Sequence, residues 1–273
     1  RPEPPDRGRV VSERVAVITG AGTGIGAATA RRLAADGWRL VLCGRRPDPL
    51  SAVAAEVGGL AVVGDTATED GAAAAIDAAV EGFGRLDGLV ANAGVMRAGR
   101  ADELAPDAWA ETLRINLTGP FLQARHALAH LRRTGGAIVA VSSVGGLRAG
   151  PGAVAYAASK AGLNMLVQAL AVDHGPEGVR VNAVAPGWVR TEMGDEEMLE
   201  LGSERGLTVE DAYREVTAHV PARRPGDPGE VAGAIAWLLS HEATYVSGAI
   251  VSVDGGTAVV DAGTIALAAG GQG

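Results

Sequence analysis

A chain of 273 residues, of which 47% are hydrophobic and 21% charged, is long enough for one large domain with a filled core and is not disordered in composition. Its formal charge of −8, without a basic stripe or a polybasic tail, argues against nucleic acid or an anionic membrane as the main partner. The single cysteine, Cys43, allows no disulfide framework within the chain and fits a cytoplasmic protein, and no apolar run is long enough to span a bilayer.

A glycine-rich loop follows the first predicted strand. Residues 1–12 hold three prolines and several charges and predict a flexible, solvated tail, with one domain over 13–273. The β-branched run 15–18 leads into Thr19-Gly-Ala-Gly-Thr-Gly-Ile-Gly26 and an alanine-rich helix to about Ala35. Such a loop lets backbone N–H groups and the positive end of a helix approach a phosphate. A tight turn without a ligand is the alternative interpretation.

The second predicted strand, 39–43, ends in Gly44-Arg45-Arg46. A unit that binds NAD usually has an acidic residue about 20 residues past its glycine loop, where it contacts the ribose 2′-hydroxyl. Here two arginines follow a glycine, and a guanidinium suits a 2′-phosphate through paired, charge-assisted hydrogen bonds. The sequence therefore favours NADP(H) over NAD(H), unless both arginines are solvated loop charges.

Two further strands end in small polar residues. Strand 60–63 is followed by Asp65, and strand 87–91 runs into Asn92-Ala93-Gly94. A long helical pattern over 107–133 contains Asn116 in apolar company, where a buried amide needs hydrogen-bond partners. A satisfied core amide and a functional role are both compatible with this position.

The stretch from Ser143 to Lys160 holds the strongest catalytic candidates. The apolar run 137–142 delivers Ser143 to a strand end, and a Gly/Pro-rich loop leads to Tyr156, which we expect to open a helix. Tyr156 and Lys160 then lie one helical turn apart. An ammonium near a phenol lowers the phenol pKa from about 10, which would make Tyr156 a general acid or base. Tyr and Lys four residues apart are also common in ordinary helices.

The C-terminal third begins with a sixth strand over 179–184, which closes in a rigid turn at Pro186, Gly187, Val189 and Thr191. Residues 190–222 are acidic and mostly helical, and we interpret them as a mobile substrate flap with solvated carboxylates. A helix from near Pro228 and a strand over 249–253 follow. The small, apolar tail after residue 256 would suit a subunit contact.

Strands alternate with helices throughout, without a linker or an internal repeat. This alternation predicts an α/β fold with a doubly wound parallel sheet of about seven strands and helices on both faces. Ligands of such folds bind beyond the carboxyl ends of the strands, where every candidate above falls. The histidines have no spacing that suggests a metal site, and none is expected: His126, His130, His174, His219 and His241.

Taken together, these motifs resemble the short-chain dehydrogenase/reductase family from about Arg14 to Gly256. The matching pieces appear in the family's order, with thirteen residues from Ser143 to Tyr156; they are Thr19–Gly26, Asp65, Ala91–Gly94, Asn116, Ser143, Tyr156–Lys160, Pro186, Gly187 and Thr191. One departure is Ala91, where the family more often has an asparagine. The resemblance implies a Rossmann-like catalytic domain that interconverts an alcohol and a carbonyl compound.

The resemblance also implies residue roles. Tyr156 would exchange a proton with the substrate oxygen, Lys160 would lower its pKa and hold ribose hydroxyls, and Ser143 would hydrogen-bond that oxygen. Asn116 would hold a water that relays protons to Lys160. The cofactor would also contact Gly20, Thr23, Gly24, Ile25, Gly26, Arg45, Arg46, Asp65, Thr66, Asn92, Ala93, Gly94, Pro186, Gly187, Val189 and Thr191.

We therefore expect an NADP(H)-preferring oxidoreductase that converts ketones or aldehydes into alcohols or the reverse, assembled as a homotetramer or a dimer. Two alternatives stay open at this point. One is an NAD-linked alcohol dehydrogenase of the same family, and the other is a catalytically silent, cofactor-binding regulatory protein. The substrate is not determined by the sequence, although the acidic flap disfavours an anionic one.

Overall fold

Seven parallel strands form one sheet in this computed structural model, which describes residues 13–261. Their order across the sheet is β3-β2-β1-β4-β5-β6-β7. The strands are β1 Val15–Thr19, β2 Arg39–Gly44, β3 Leu60–Val63, β4 Gly88–Ala91, β5 Ala137–Val141, β6 Arg180–Pro186 and β7 Ile250–Val253. The predicted α/β fold is confirmed. The predicted tail over 1–12 and most of the apolar C-terminal tail lie outside the described residues.

Nine helices surround the sheet within the described residues: α1 Gly24–Ala35, α2 Pro47–Val57, α3 Glu69–Phe83, α4 Pro106–Leu113, α5 Gly119–Thr134, α6 Val154–His174, α7 Glu192–Arg205, α8 Val209–Val216 and α9 Pro228–Leu239. Successive side chains of a strand point to opposite faces of the sheet. Val15 and Val17 therefore join the core under α3, α5 and α6, whereas Ala16 and Ile18 join the core under α1, α2 and α9. Cys43 is buried in the first of these cores.

Two elements differ from the predicted pattern. The helix α2 was not among the predicted elements; Pro47 occupies its first helical position, where a missing N–H costs nothing. The expected long helix over 107–133 is interrupted by a π-helical turn, Arg114–Thr118, between α4 and α5. Such turns are rare and concentrate at functional sites, and this one contains Asn116.

The acidic insert is more regular than expected. Helices α7 and α8 pack together through a small core of Met198, Ala212 and Tyr213. Four of its carboxylates pair with arginines of the insert, for example Glu210 with Arg190. The insert is therefore a helical hairpin with its own core.

The strand order reverses its direction between β1 and β4. Strand β1 pairs with β2 on one side and with β4 on the other, so the connections that follow β1 and β4 leave the sheet in opposite directions. A crevice forms outside the carboxyl ends of strands at such a point, and ligands of open α/β sheets bind there. Within residues 13–261, no helix combines the length and the apolar character needed to cross a bilayer.

Candidate active site

The glycine loop after β1 has a backbone that side chains would not allow. Gly20 and Gly24 have φ of +64° and +54°, a region that L-residues with a Cβ rarely adopt. A Cβ on Gly26 would lie 2.3 Å from the carbonyl oxygen of Gly20. The loop therefore requires glycine at these positions to bring its backbone close to whatever lies over it.

The turn after β4 holds this loop in place. The side-chain amide of Asn92 donates to the carbonyl oxygens of Thr19 and Gly20, at 2.9 and 3.1 Å. The Thr19 hydroxyl accepts from the backbone N–H groups of Asn92 and Ala93, both at 3.1 Å. Two loops from neighbouring strands are thus joined by four hydrogen bonds across the crevice.

The first turn of α1 fits a pyrophosphate. It contains no acidic residue, and Thr23, the N-cap, does not cap the helix with its side chain. The N-terminal N–H groups of a helix have no partner within it and carry a partial positive charge. The backbone of Gly24, Ile25 and Gly26 is therefore suited to hold a dinucleotide's phosphates.

Asp65 and Thr66 lie just past β3. The carboxylate of Asp65 accepts from the Ala67 N–H at 3.0 Å and from the Arg114 guanidinium at 2.8 Å. Burial alone would raise the pKa of Asp65, but these bonds and the charges of Arg114 and Arg45 hold it below its usual value. Thr66 is buried, and its carbonyl oxygen accepts from Gln123. Sequence reasoning missed Arg114, which lies 49 residues away from its partner.

The two predicted phosphate-binding arginines have different surroundings. Arg45 is exposed, and no hydrogen bond or ion pair engages its side chain among residues 13–261. Arg46 instead donates from both terminal nitrogens to the carboxylate of Glu192 on α7, at 2.7 Å from Nη1, and to the Thr23 hydroxyl at 3.2 Å. Both arginines are exposed, but only Arg46 is held by an ion pair with the flap.

The loop after β6 brings α7 against the glycine loop. A Cβ on Gly187 would lie 3.0 Å from the Asp254 Cα, so the strand end at Pro186 passes close to the loop after β7. Val189 is buried, and Thr191 caps α7 by accepting from the Gly194 N–H at 3.0 Å. A Cβ on Gly24 would meet the Thr191 side chain at 3.1 Å. The flap therefore begins directly beside the predicted phosphate site.

Three of the four catalytic candidates meet beyond β5. Tyr156 and Lys160 lie on α6, which begins at Val154, two residues before the predicted start. The ammonium of Lys160 is 5.6 Å from the Tyr156 ring centre and donates to the Val141 carbonyl oxygen at 2.8 Å. The Ser143 hydroxyl lies close enough to Tyr156 to lower the pKa of its phenol, and it accepts from the Gly145 N–H at 3.0 Å.

The pKa values differ from the expectation. Burial raises the pKa of the Tyr156 phenol, the bond to Ser143 lowers it, and the charge of Glu197 raises it further. Burial also lowers the pKa of Lys160 to about 8, because desolvation disfavours its ammonium. Lys160 is not among the groups that shift the Tyr156 pKa in the chain alone, so the lowering of that pKa by Lys160 stays a prediction.

Through its side chain, Asn116 holds the backbone at Val95, just past the Asn92–Gly94 turn and close to Lys160. Its side chain is fully buried, accepts from the Val95 N–H at 2.8 Å, and donates to the Val95 carbonyl oxygen at 2.9 Å and the Ser159 hydroxyl at 3.1 Å. A Cβ on Gly94 would lie 3.3 Å from the Asn116 Oδ1 and 3.5 Å from the Lys160 Nζ. Glycine at 94 therefore leaves these two polar groups close to one another.

Glu197 is a functional candidate that the sequence did not single out. It lies on α7, is half-buried, and pairs with no cation among the described residues. Burial, with the charge of Glu200 adding to it, raises the pKa of Glu197 to about 7. The expectation that all acids of the flap are solvated is wrong here, because this carboxylate is half-buried, and its charge raises the pKa of Tyr156.

Comparisons with known proteins agree with this geometry. A family model described as enoyl-(acyl carrier protein) reductase matches residues 20–258. The protein MoaE of Klebsiella aerogenes is 40% identical over 93% of this chain and 99% of its own length. The cis-4-hydroxycyclohexanecarboxylate dehydrogenase of Sinomonas cyclohexanicum is 42% identical over 91% of this chain and 98% of its own length.

The structure of actinorhodin polyketide ketoreductase with NADPH superposes with a TM-score of 0.87 at 33% identity, over 91% of this chain and 98% of that one. Fold, site geometry and relatives therefore agree along most of the sequence. The chain belongs to the short-chain dehydrogenase/reductase family and is an oxidoreductase that acts on hydroxyl or carbonyl groups.

Proposed function

We propose that this protein is an NADP(H)-preferring oxidoreductase that interconverts a ketone or aldehyde and an alcohol, with Tyr156 as its general acid and base. The observation that carries the proposal is the meeting of Ser143, Tyr156 and Lys160 beside a glycine loop suited to phosphates. A protein that only senses a cofactor needs no proton donor joined to a serine hydroxyl and a buried lysine.

Each residue has a distinct task in carbonyl reduction. When bound, a nicotinamide supplies the hydride that reaches the substrate carbon. Tyr156 gives its proton to the substrate oxygen, and Ser143, which lies beside that phenol, hydrogen-bonds the same oxygen as charge develops on it. Alcohol oxidation reverses the proton transfer.

Lys160 stabilises the phenolate that Tyr156 leaves behind. With a pKa of about 8, its ammonium is mostly charged at neutral pH, and a nearby cation favours the anionic form of a phenol. The Asn116 amide retains one Oδ1 lone pair next to the Lys160 ammonium, where it can hold a water that passes protons to Lys160.

The cofactor preference rests on Arg45, whose unengaged guanidinium is available for a 2′-phosphate at the end of β2. The solved ketoreductase named above, which contains NADPH, supports this choice. Binding constants for NADPH and NADH test it, with Arg45→Asp as the matched variant. Equal or tighter binding of NADH by the unmodified protein would overturn the preference.

Absorbance of the reduced nicotinamide near 340 nm tests turnover on a panel of ketones. Cyclic ketones come first, because one relative is named for a hydroxycyclohexanecarboxylate. Neutral rings are expected to outperform ring carboxylates, since Glu197 would repel an anion near Tyr156. Tyr156→Phe should bind nucleotide but turn over none of the panel. Unchanged turnover in Tyr156→Phe would refute the assigned role.

We further propose a homotetramer, or failing that a dimer, in the cytosol. Large apolar side chains are exposed on α4, α5 and α6, among them Trp109, Phe121, Met165 and Val172. Their exposure supports a contact between copies of the chain through these helices. The cytosolic location rests on the single buried cysteine, Cys43.

A further inference from the structure

The flap contacts Arg46, one of the two arginines predicted to bind the nucleotide. Glu192 is the first residue of α7, and its partner Arg46 lies 146 residues earlier, at the start of α2. The contact has three members, because Arg46 also donates to the hydroxyl of Thr23 in the glycine loop at 3.2 Å.

The Glu192 carboxylate is bound as a phosphate group would be. A guanidinium fork donates to its two oxygens, with the Thr23 hydroxyl on the same guanidinium, and such a fork also suits a sugar phosphate. These bonds hold the pKa of Glu192 below its usual value, so the carboxylate is ionised at neutral pH. An ionised group in this position repels a second anion.

We propose that Glu192 is a specificity-determining residue that competes with the 2′-phosphate of the cofactor for Arg46 and Thr23. The proposal rests on the proposed cofactor role of these arginines. A cofactor without the 2′-phosphate leaves the Arg46–Glu192 pair intact. A cofactor with it must displace Glu192 from Arg46 or bind through Arg45 alone, so Glu192 weakens selection for the phosphate.

The helix cap supports this placement independently of the ion pair. A Cβ on Gly24 would touch the side chain of Thr191, the residue before Glu192, so the flap lies against the glycine loop even without the arginine. Glu192 is therefore held near Thr23 by backbone packing as well as by charge. Its competition with a phosphate follows from the fold of the loop after β6.

The test measures binding of two nucleotide fragments to the full chain by isothermal titration calorimetry. The probes are 2′,5′-ADP and 5′-AMP, which differ by the 2′-phosphate alone. In Glu192→Gln, affinity for 2′,5′-ADP should rise about fivefold, the scale of one exposed ion pair, while affinity for 5′-AMP stays unchanged. Glu200→Gln, on the same helix and without a bond to Arg46, should change neither.

A second pair of variants isolates the contact. Arg46→Gln should weaken binding of 2′,5′-ADP, and adding Glu192→Gln to it should give no further gain. If the ratio of the affinity for 2′,5′-ADP to the affinity for 5′-AMP is the same in Glu192→Gln as in Glu200→Gln, the proposal is overturned. The NADP(H) preference is tested separately by the unmodified protein, and tighter binding of 5′-AMP than of 2′,5′-ADP would refute it. Even then, the competition by Glu192 is supported if Glu192→Gln still shifts the ratio of the two affinities toward 2′,5′-ADP.

Discussion

Replacement of Asn116 by alanine should destabilise the protein by about 2–3 kcal/mol, because two buried backbone groups lose their partner. The Val95 N–H and the Val95 carbonyl oxygen both bond the Asn116 amide, and the Asn116 side chain is 0% exposed, so water does not replace it without rearrangement. The third partner, the Ser159 hydroxyl, keeps its bond to the Tyr156 carbonyl oxygen and adds little to the loss.

Urea unfolding at a fixed chain concentration measures this change. The matched control is Asn164→Ala on α6. Asn164 is also buried, but its amide makes one hydrogen bond, to the Gly146 carbonyl oxygen, and its Oδ1 has no partner among the described residues. The control should lose about 1 kcal/mol. If the two variants unfold at the same urea concentration with equal slopes, the stabilising role of Asn116 is refuted.

Three further predictions follow. Gly26→Ala should abolish nucleotide binding, since its Cβ would lie 2.3 Å from the Gly20 carbonyl oxygen. The control Gly229→Ala, which has open space around its Cβ, should bind nucleotide normally. Retained nucleotide binding in Gly26→Ala would contradict the loop geometry. Burial raises the pKa of Cys43 to about 12, so thiol reagents should label it only after unfolding, and rapid labelling of the native protein would be the contrary result. The charge of Glu197 raises the Tyr156 pKa, so in Glu197→Gln the rate of alcohol oxidation should begin to rise at a lower pH. Glu200→Gln should not produce this shift. An unchanged pH–rate profile in Glu197→Gln would reject the coupling.

Local patterns predicted the sheet and the loops at its edge. The runs 15–18 and 137–142 are apolar and β-branched because parallel strands are buried on both faces, and the structure places strands there. The glycine loop was recognisable because its backbone excludes a Cβ at positions such as Gly26. Such features depend on residues close in sequence.

The features that sequence reasoning missed depend on distant partners. Arg46 was interpreted as a phosphate ligand, because nothing near it in the chain indicates its ion pair with Glu192, 146 residues away. Glu197 was interpreted as a solvated acid, because the charge pattern of α7 does not show which of its carboxylates is half-buried and acts on Tyr156. The π-helical turn at Asn116 was not predicted, and the pattern over 107–133 was interpreted as one continuous helix.

The cofactor loop and the catalytic lysine are positioned by one short segment of chain. Thr19 fixes the beginning of that segment at Asn92, and Asn116 fixes its end at Val95. Gly94, between them, has no side chain to separate Asn116 from Lys160. Both ends of the segment, which runs from Asn92 to Val95, are held by buried or half-buried hydrogen bonds. The proposed nucleotide site and the proposed proton donor therefore share one fixed stretch of backbone at the carboxyl-end edge of the sheet.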